Sequence, residues 1–187
     1  MSYNPQGMFN WAVNWCNRAN VGYWDSFPER NQQTINGITY YDCSSFTFFA
    51  CWLGGGLDVG SLGYSTNLAD YHNGVVNAWT VTSMISALTY AGWNIIPITN
   101  ATSNLQPGDI LAKIHTHTEI FYSNNPVQTM GARNSSLPLA DQVSIHTTSL
   151  SYIQGYYDYI IRPNGVVPPT PTQRRGIPLW MLLRYLP

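Results

Sequence analysis

Residues 40–56, Tyr40-Tyr-Asp-Cys43-Ser-Ser-Phe-Thr-Phe-Phe-Ala-Cys51-Trp-Leu-Gly-Gly-Gly56, decide how the chain reads. The apolar run from Phe46 to Leu53 has the character of a buried helix, and the three glycines after it supply a stop. On that reading the helix opens at Cys43. Backbone N–H groups and the helix dipole favour negative charge at such a position, which lowers a thiol pKa and populates the nucleophilic thiolate. By its placement alone, an inert buried thiol is the better reading. Cys51, among Phe48, Phe49 and Trp52, reads as packing.

Working outward toward the amino terminus, Met8, Trp11, Ala12, Trp15 and Cys16 follow the spacing of a helix with one buried stripe. Between this helix and the cysteine, residues 20–39 read as a polar loop containing Gly22-Tyr23-Trp24. On the other side, residues 57–78 show no clear periodicity. A helix from Thr82 or Ser83 to Ala91 follows, with Gly92 at its cap position. The pattern then turns to short β-rich segments at 94–98, 109–114, 117–122, 126–130, 143–146 and 156–162. Helices first and strands after predict an α+β fold, with the N-terminal helices packed on a central antiparallel sheet. At Pro163 the composition changes to a Pro-rich linker and an apolar end, Trp180-Met-Leu-Leu-Arg-Tyr185. The expected division is a domain over 1–162 and a linker with a docking tail over 163–187.

Composition narrows the function. Only 9% of the 187 residues are charged, and the net charge is -1. Nucleic-acid binding leans on clustered Lys and Arg, so a polyanion is a poor partner. A neutral, hydrogen-bonding surface suits sugar- or amide-rich partners, and it also fits an extracellular or virion protein. No membrane span and no secretory signal are legible. Three cysteines, an odd number at irregular spacing, leave at least one free thiol unless it pairs between chains.

The second chemical signal is His115-Thr-His117-Thr-Glu119. In a strand these three side chains project from one face. Three readings stay open at this point: a base for the cysteine, a divalent-metal site, or a polar edge. A base histidine also needs a polar partner for its second ring nitrogen. Gln128 on the next strand is expected there, with Asn125 or Asn134 as alternatives. His146 reads as a surface residue.

In order, these motifs resemble the NlpC-type, papain-like cysteine peptidases. Tyr41-Asp42-Cys43-Ser44-Ser45-Phe46 is similar to that family's nucleophile motif. Pro107-Gly108-Asp109-Ile110 and His117-Thr118-Glu119-Ile120-Phe121 look like its Gly-Asp strand and histidine strand. Tyr23, Trp79-Thr-Val81-Thr-Ser83-Met84 and Tyr157-Asp-Tyr-Ile-Ile-Arg162 extend the likeness toward bacteriophage lysin amidases. The resemblance spans about residues 8–162 and selects His117 over His115 as the base. It implies Cys43 as nucleophile, Gln128 as the third polar residue, and Tyr23, Asp42, Ser44 and Glu119 around the substrate. It also implies an oxyanion bound by the Cys43 backbone N–H and a mechanism without metal or cofactor. Glu119 stands where the family usually has Gly. The implied activity is cleavage of a cell-wall amide, by a muramoyl–alanine amidase or a stem-peptide or crossbridge endopeptidase. The implied partners are peptidoglycan and, through residues 163–187, phage tail proteins. The setting is a phage protein, released into the host or carried on the virion. The competing expectation is a virion structural or wall-binding module without the chemistry.

Overall fold

The computed structural model describes residues 3–100 and 104–165. Helix α1 (Pro5–Cys16) starts where the Asn4 side chain accepts from Gly7 N at 3.0 Å and Pro5 fills the first position. Three short strands follow: β1 (Val21–Tyr23), β2 (Asn31–Ile35) and β3 (Ile38–Tyr41). Helix α2 (Cys43–Phe49) runs into a π-type turn over Ala50–Gly54. Then come α3 (Leu68–His72), α4 (Val81–Tyr90), β4 (Asn94–Pro97), β5 (Ile110–Lys113), β6 (His117–Asn124) and β7 (Val127–Ala132). The described chain closes with α5 (Leu139–Gln142), β8 (Val143–Thr147), α6 (Leu150–Tyr156) and β9 (Tyr159–Arg162).

The protein is α+β. Six strands form one sheet in the order β4-β9-β5-β6-β7-β8, and every neighbouring pair is antiparallel. Strand alternation sends Ile110, Ala112, Ile120, Met130 and Ala132 into the larger core, shared with Phe9, Phe46 and Phe49. Leu111, Phe121 and Ile160 join a second cluster with Ile153 and Tyr157. Covered on both sides, the central strands read as apolar runs and show no clean alternation with polar residues.

Helix α2 lies at the centre: all seven of its residues are buried. Phe46, Phe48 and Phe49 have no exposed surface, and each such burial contributes about 1.5–3 kcal/mol. α1 closes over the following π-type turn at Gly7 and Gly54. A Cβ on Gly54 would fall 2.5 Å from Trp11 Cβ, so only a glycine lets the two backbones meet.

Three features depart from the sequence expectation. Residues 20–39 are not a simple loop: β1 and β2 flank β3 in a small sheet, with β1 parallel and β2 antiparallel to it. The last strand starts at Tyr159, because residues 150–156 form α6, whose Ser149 side chain accepts from Tyr152 N at 3.1 Å. α3 lies within the stretch that showed no periodicity. Among the described residues no helix is long and apolar enough to cross a membrane. The expected docking tail beyond Gly165 lies outside the described residues.

Candidate active site

Cys43 is the first residue of α2, and the residues around it hold the helix start in place. The Asp42 side chain accepts from Ser45 N at 2.6 Å, while Ser45 Oγ accepts from Asp42 N at 3.0 Å. This reciprocal pair satisfies two N–H groups at the helix opening. Asp42 also pairs with Arg30 at 3.0 Å. Burial is the largest influence on its carboxyl and raises the pKa above the usual range, although Arg30 and Ser45 pull the other way. Ser44 Oγ donates to the Trp79 carbonyl at 2.7 Å and accepts from Arg30 Nη2 at 2.8 Å. The expectation that Asp42 and Ser44 face the substrate is corrected here. Both are buried and committed to the helix cap and to Arg30.

His117 opens β6, opposite Lys113. Thr118 turns to the opposite face, where it is buried and its Oγ1 donates to the Leu111 carbonyl at 2.9 Å. His117 and Glu119 therefore share a face, and Glu119 Oε1 reaches back to within 3.4 Å of His117 Nε2. Cys43 lies near enough to His117 to act on its charge. Burial disfavours the charged imidazole, yet Cys43 and Glu119 outweigh that and lift its pKa to about 10. Glu119 is buried too, which works against its charge, but His117 and His146 bring its pKa down to about 2.

The Glu119 carboxylate has further partners. Tyr157 donates its hydroxyl to Oε2 at 2.8 Å, and His146 Nε2 lies 3.4 Å from Oε1. Thr129, paired with His146 across β7 and β8, bonds to His146 at 3.0 Å and adds to the lowering of the Glu119 pKa. Burial lowers the His146 pKa, with Glu119 opposing and Arg133 adding to the fall. Glu119 is thus a buried partner of His117, with side-chain exposure of 5%, and it also lines a cleft beside that histidine.

The other expected residues fall in different places. Tyr23 is half-buried at the end of β1, and Cys43 and Asp42 are close enough for their charges to add to the effect of burial in raising its phenol pKa. Gln128 pairs in register with Ser123, and Ser123 Oγ donates to its side chain at 3.2 Å. Continuing the β6–β7 register from Ile120 and Met130 sets Glu119 against Gly131 and His117 against Arg133. Gln128 is thus five residues along β7 from the position opposite His117, and Glu119 occupies the place expected for it. Asn125 lies at the β6–β7 turn, and Asn134 accepts from Ser136 N at 2.8 Å.

His115 does not share a face with His117 and Glu119. It takes a left-handed conformation (φ 61°) in the turn before β6, and its Nδ1 bonds to Thr82 Oγ1 at 2.8 Å. This turn breaks the expected triple. Among the described residues no three His, Cys, Asp or Glu side chains form a group suited to a metal ion. Cys16 and Cys51 are free, buried thiols, and burial pushes both pKa values up, Cys51 to about 12. The sequence reading missed His146, Thr129 and Tyr157, which reach Glu119 from three different strands or strand ends. Sequence periodicity carries no signal for such a convergence, since it depends on strand order.

The arrangement sets a thiol at a helix start, an imidazole whose pKa is raised to about 10, and a buried carboxylate beside that imidazole. No known family model matches the chain, and no curated protein is similar to it.

Proposed function

We propose that the protein is a cysteine hydrolase that cleaves an amide bond of the bacterial cell wall through a thioester intermediate. The observation that carries the reading is the proximity of Cys43, at the start of α2, to His117, whose imidazole has the Glu119 carboxylate 3.4 Å from Nε2. A papain-like, NlpC-type arrangement accords with a cysteine helix set against an antiparallel strand that bears the histidine. The neutral composition accords with a sugar- and amide-rich polymer as substrate.

The chemistry follows from the positions. The Cys43 thiolate attacks the amide carbonyl carbon, and the Cys43 N–H, left free at the helix start, faces the oxygen that becomes negative. The C–N bond breaks as imidazolium His117 gives its proton to the departing amine. Water then attacks the thioester, with neutral His117 taking its proton. The acid leaves, and thiolate and imidazolium are restored. With His117 Nε2 turned to Glu119, Nδ1 is the nitrogen that serves the sulfur. Glu119 holds the ring and favours its charged form. Whether the bond joins muramic acid to alanine or lies within the peptide, the steps are the same. A phage lysin acting from the host interior or from the virion fits this activity.

The test is turbidity loss of purified Gram-positive walls with the wild-type protein and with Cys43→Ala. Clearing by the wild type alone is expected. Equal clearing by both removes Cys43 as the nucleophile, and clearing by neither on several wall types leaves the non-enzymatic wall-binding or tail module as the better reading.

A further inference from the structure

A cleft of about 430 Å³ opens beside His117 and Glu119, lined also by Arg133, His146 and the tyrosines 152, 156 and 157. Arg133 is set apart by its surroundings. Among the described residues, the other four basic side chains each have a partner. Arg18 lies 3.8 Å over Trp15, while Arg30, Lys113 and Arg162 pair with Asp42, Asp158 and Asp109. Arg133 has no acidic partner among those residues, and the one carboxylate in the cleft, Glu119, is engaged by His117, His146 and Tyr157. With His117 protonated, the cleft carries an excess of positive charge in a chain that is 9% charged. Next to it, Tyr152 and Tyr156 stack at 5.2 Å with their planes 12° apart, and Tyr152 is 52% exposed. The Tyr156 ring meets His117 edge-on at 6.4 Å. The cleft thus joins the imidazole to an open aromatic face.

Position in the reaction says which half of a substrate belongs there. The acyl half stays on Cys43, and the amine half must leave from His117. Resting on the hydrolase reading above, we propose that this cleft holds the amine-side peptide and that Arg133 clamps a free carboxylate on it. The Tyr152–Tyr156 pair packs against the aliphatic part of the same peptide. A guanidinium suits this role because its fork of donors matches both oxygens of a carboxylate. The enzyme therefore distinguishes wall peptides that carry a free carboxylate on the amine side from those in which that group is amidated.

Two soluble muropeptides that differ only in that group, free acid or amide, test the proposal. Wild type should show about tenfold or higher kcat/KM on the free acid. Arg133→Gln should level the two by raising KM on the free acid with kcat nearly unchanged, and Arg133→Lys should restore part of the preference. A preference that survives Arg133→Gln, or equal loss on both substrates, overturns the proposal. Calorimetric titration of both fragments into Cys43→Ala, with and without Arg133→Gln, reads the clamp without turnover. If neither fragment is cleaved, the hydrolase reading fails. The clamp then stands if the free acid binds more tightly only with Arg133 present, and falls if the two bind alike.

Discussion

The Glu119 carboxylate oxygen lies 3.4 Å from Nε2 of His117, two residues back along the same strand. Alternate residues of a strand share a face, so one strand supplies both the imidazole and the carboxylate beside it. Cys43 enters from the start of a separate, wholly buried helix. The site is therefore as rigid as the packing of α2 on the sheet.

Glu119→Gln should lower kcat by about ten- to a hundredfold with little change in KM, a part of what a placed acid–base group contributes. Because Glu119 helps hold the His117 pKa near 10, the alkaline fall of kcat/KM should move to lower pH in this variant. An unchanged pH profile would reduce Glu119 to a packing role.

Gln128→Ala should keep kcat/KM within about twofold of wild type, since the side chain bonds to Ser123 near the β6–β7 turn. A hundredfold loss in steady-state assays would restore Gln128 as the residue behind His117.

How much of this was legible in the sequence divides along physical lines. The cysteine helix, α4 and the strand set were readable because each has a local signature: an apolar run, a cap, a turn. The β2–β3 hairpin has one too, in Asn36-Gly37, both at positive φ in the structure, though the surrounding polar stretch masks it. The convergence of Tyr157, Thr129 and His146 on Glu119 had none, because it depends on the strand order β9-β5-β6-β7-β8. The reading of His115 failed for a related reason. The strand begins two residues later, and the turn before it sends that imidazole to Thr82.

The ion pair also sets a pH window for stability. The His117 pKa is raised from 6.5 to about 10, so its contribution is full below pH 6.5 and is lost as pH rises through 10. The Glu119 pKa is lowered from 4.5 to about 2, so its contribution is full above pH 4.5 and is lost as pH falls through 2. Urea midpoints should therefore show this pair's stabilisation undiminished between pH 4.5 and 6.5 and declining on either side. In Glu119→Gln both slopes should shrink; identical pH dependence in the two proteins would contradict the assignment.

Asp42→Ala removes a helix cap and leaves Arg30 buried without its carboxylate, with a cost of about 3–5 kcal/mol. Asp42→Asn keeps the cap and should cost less. Urea unfolding by circular dichroism measures both; equal midpoints for Asp42→Ala and wild type would show that the pair adds nothing.

The most direct test is stoichiometric alkylation of the native protein by iodoacetamide at neutral pH, with peptide mass mapping and wall clearing followed on the same samples. One carbamidomethyl group at Cys43 should appear in step with loss of clearing, more slowly in His117→Ala, while Cys16 and Cys51 react only after unfolding. Full modification of Cys43 with clearing intact, or first reaction at Cys16 or Cys51, would contradict the account.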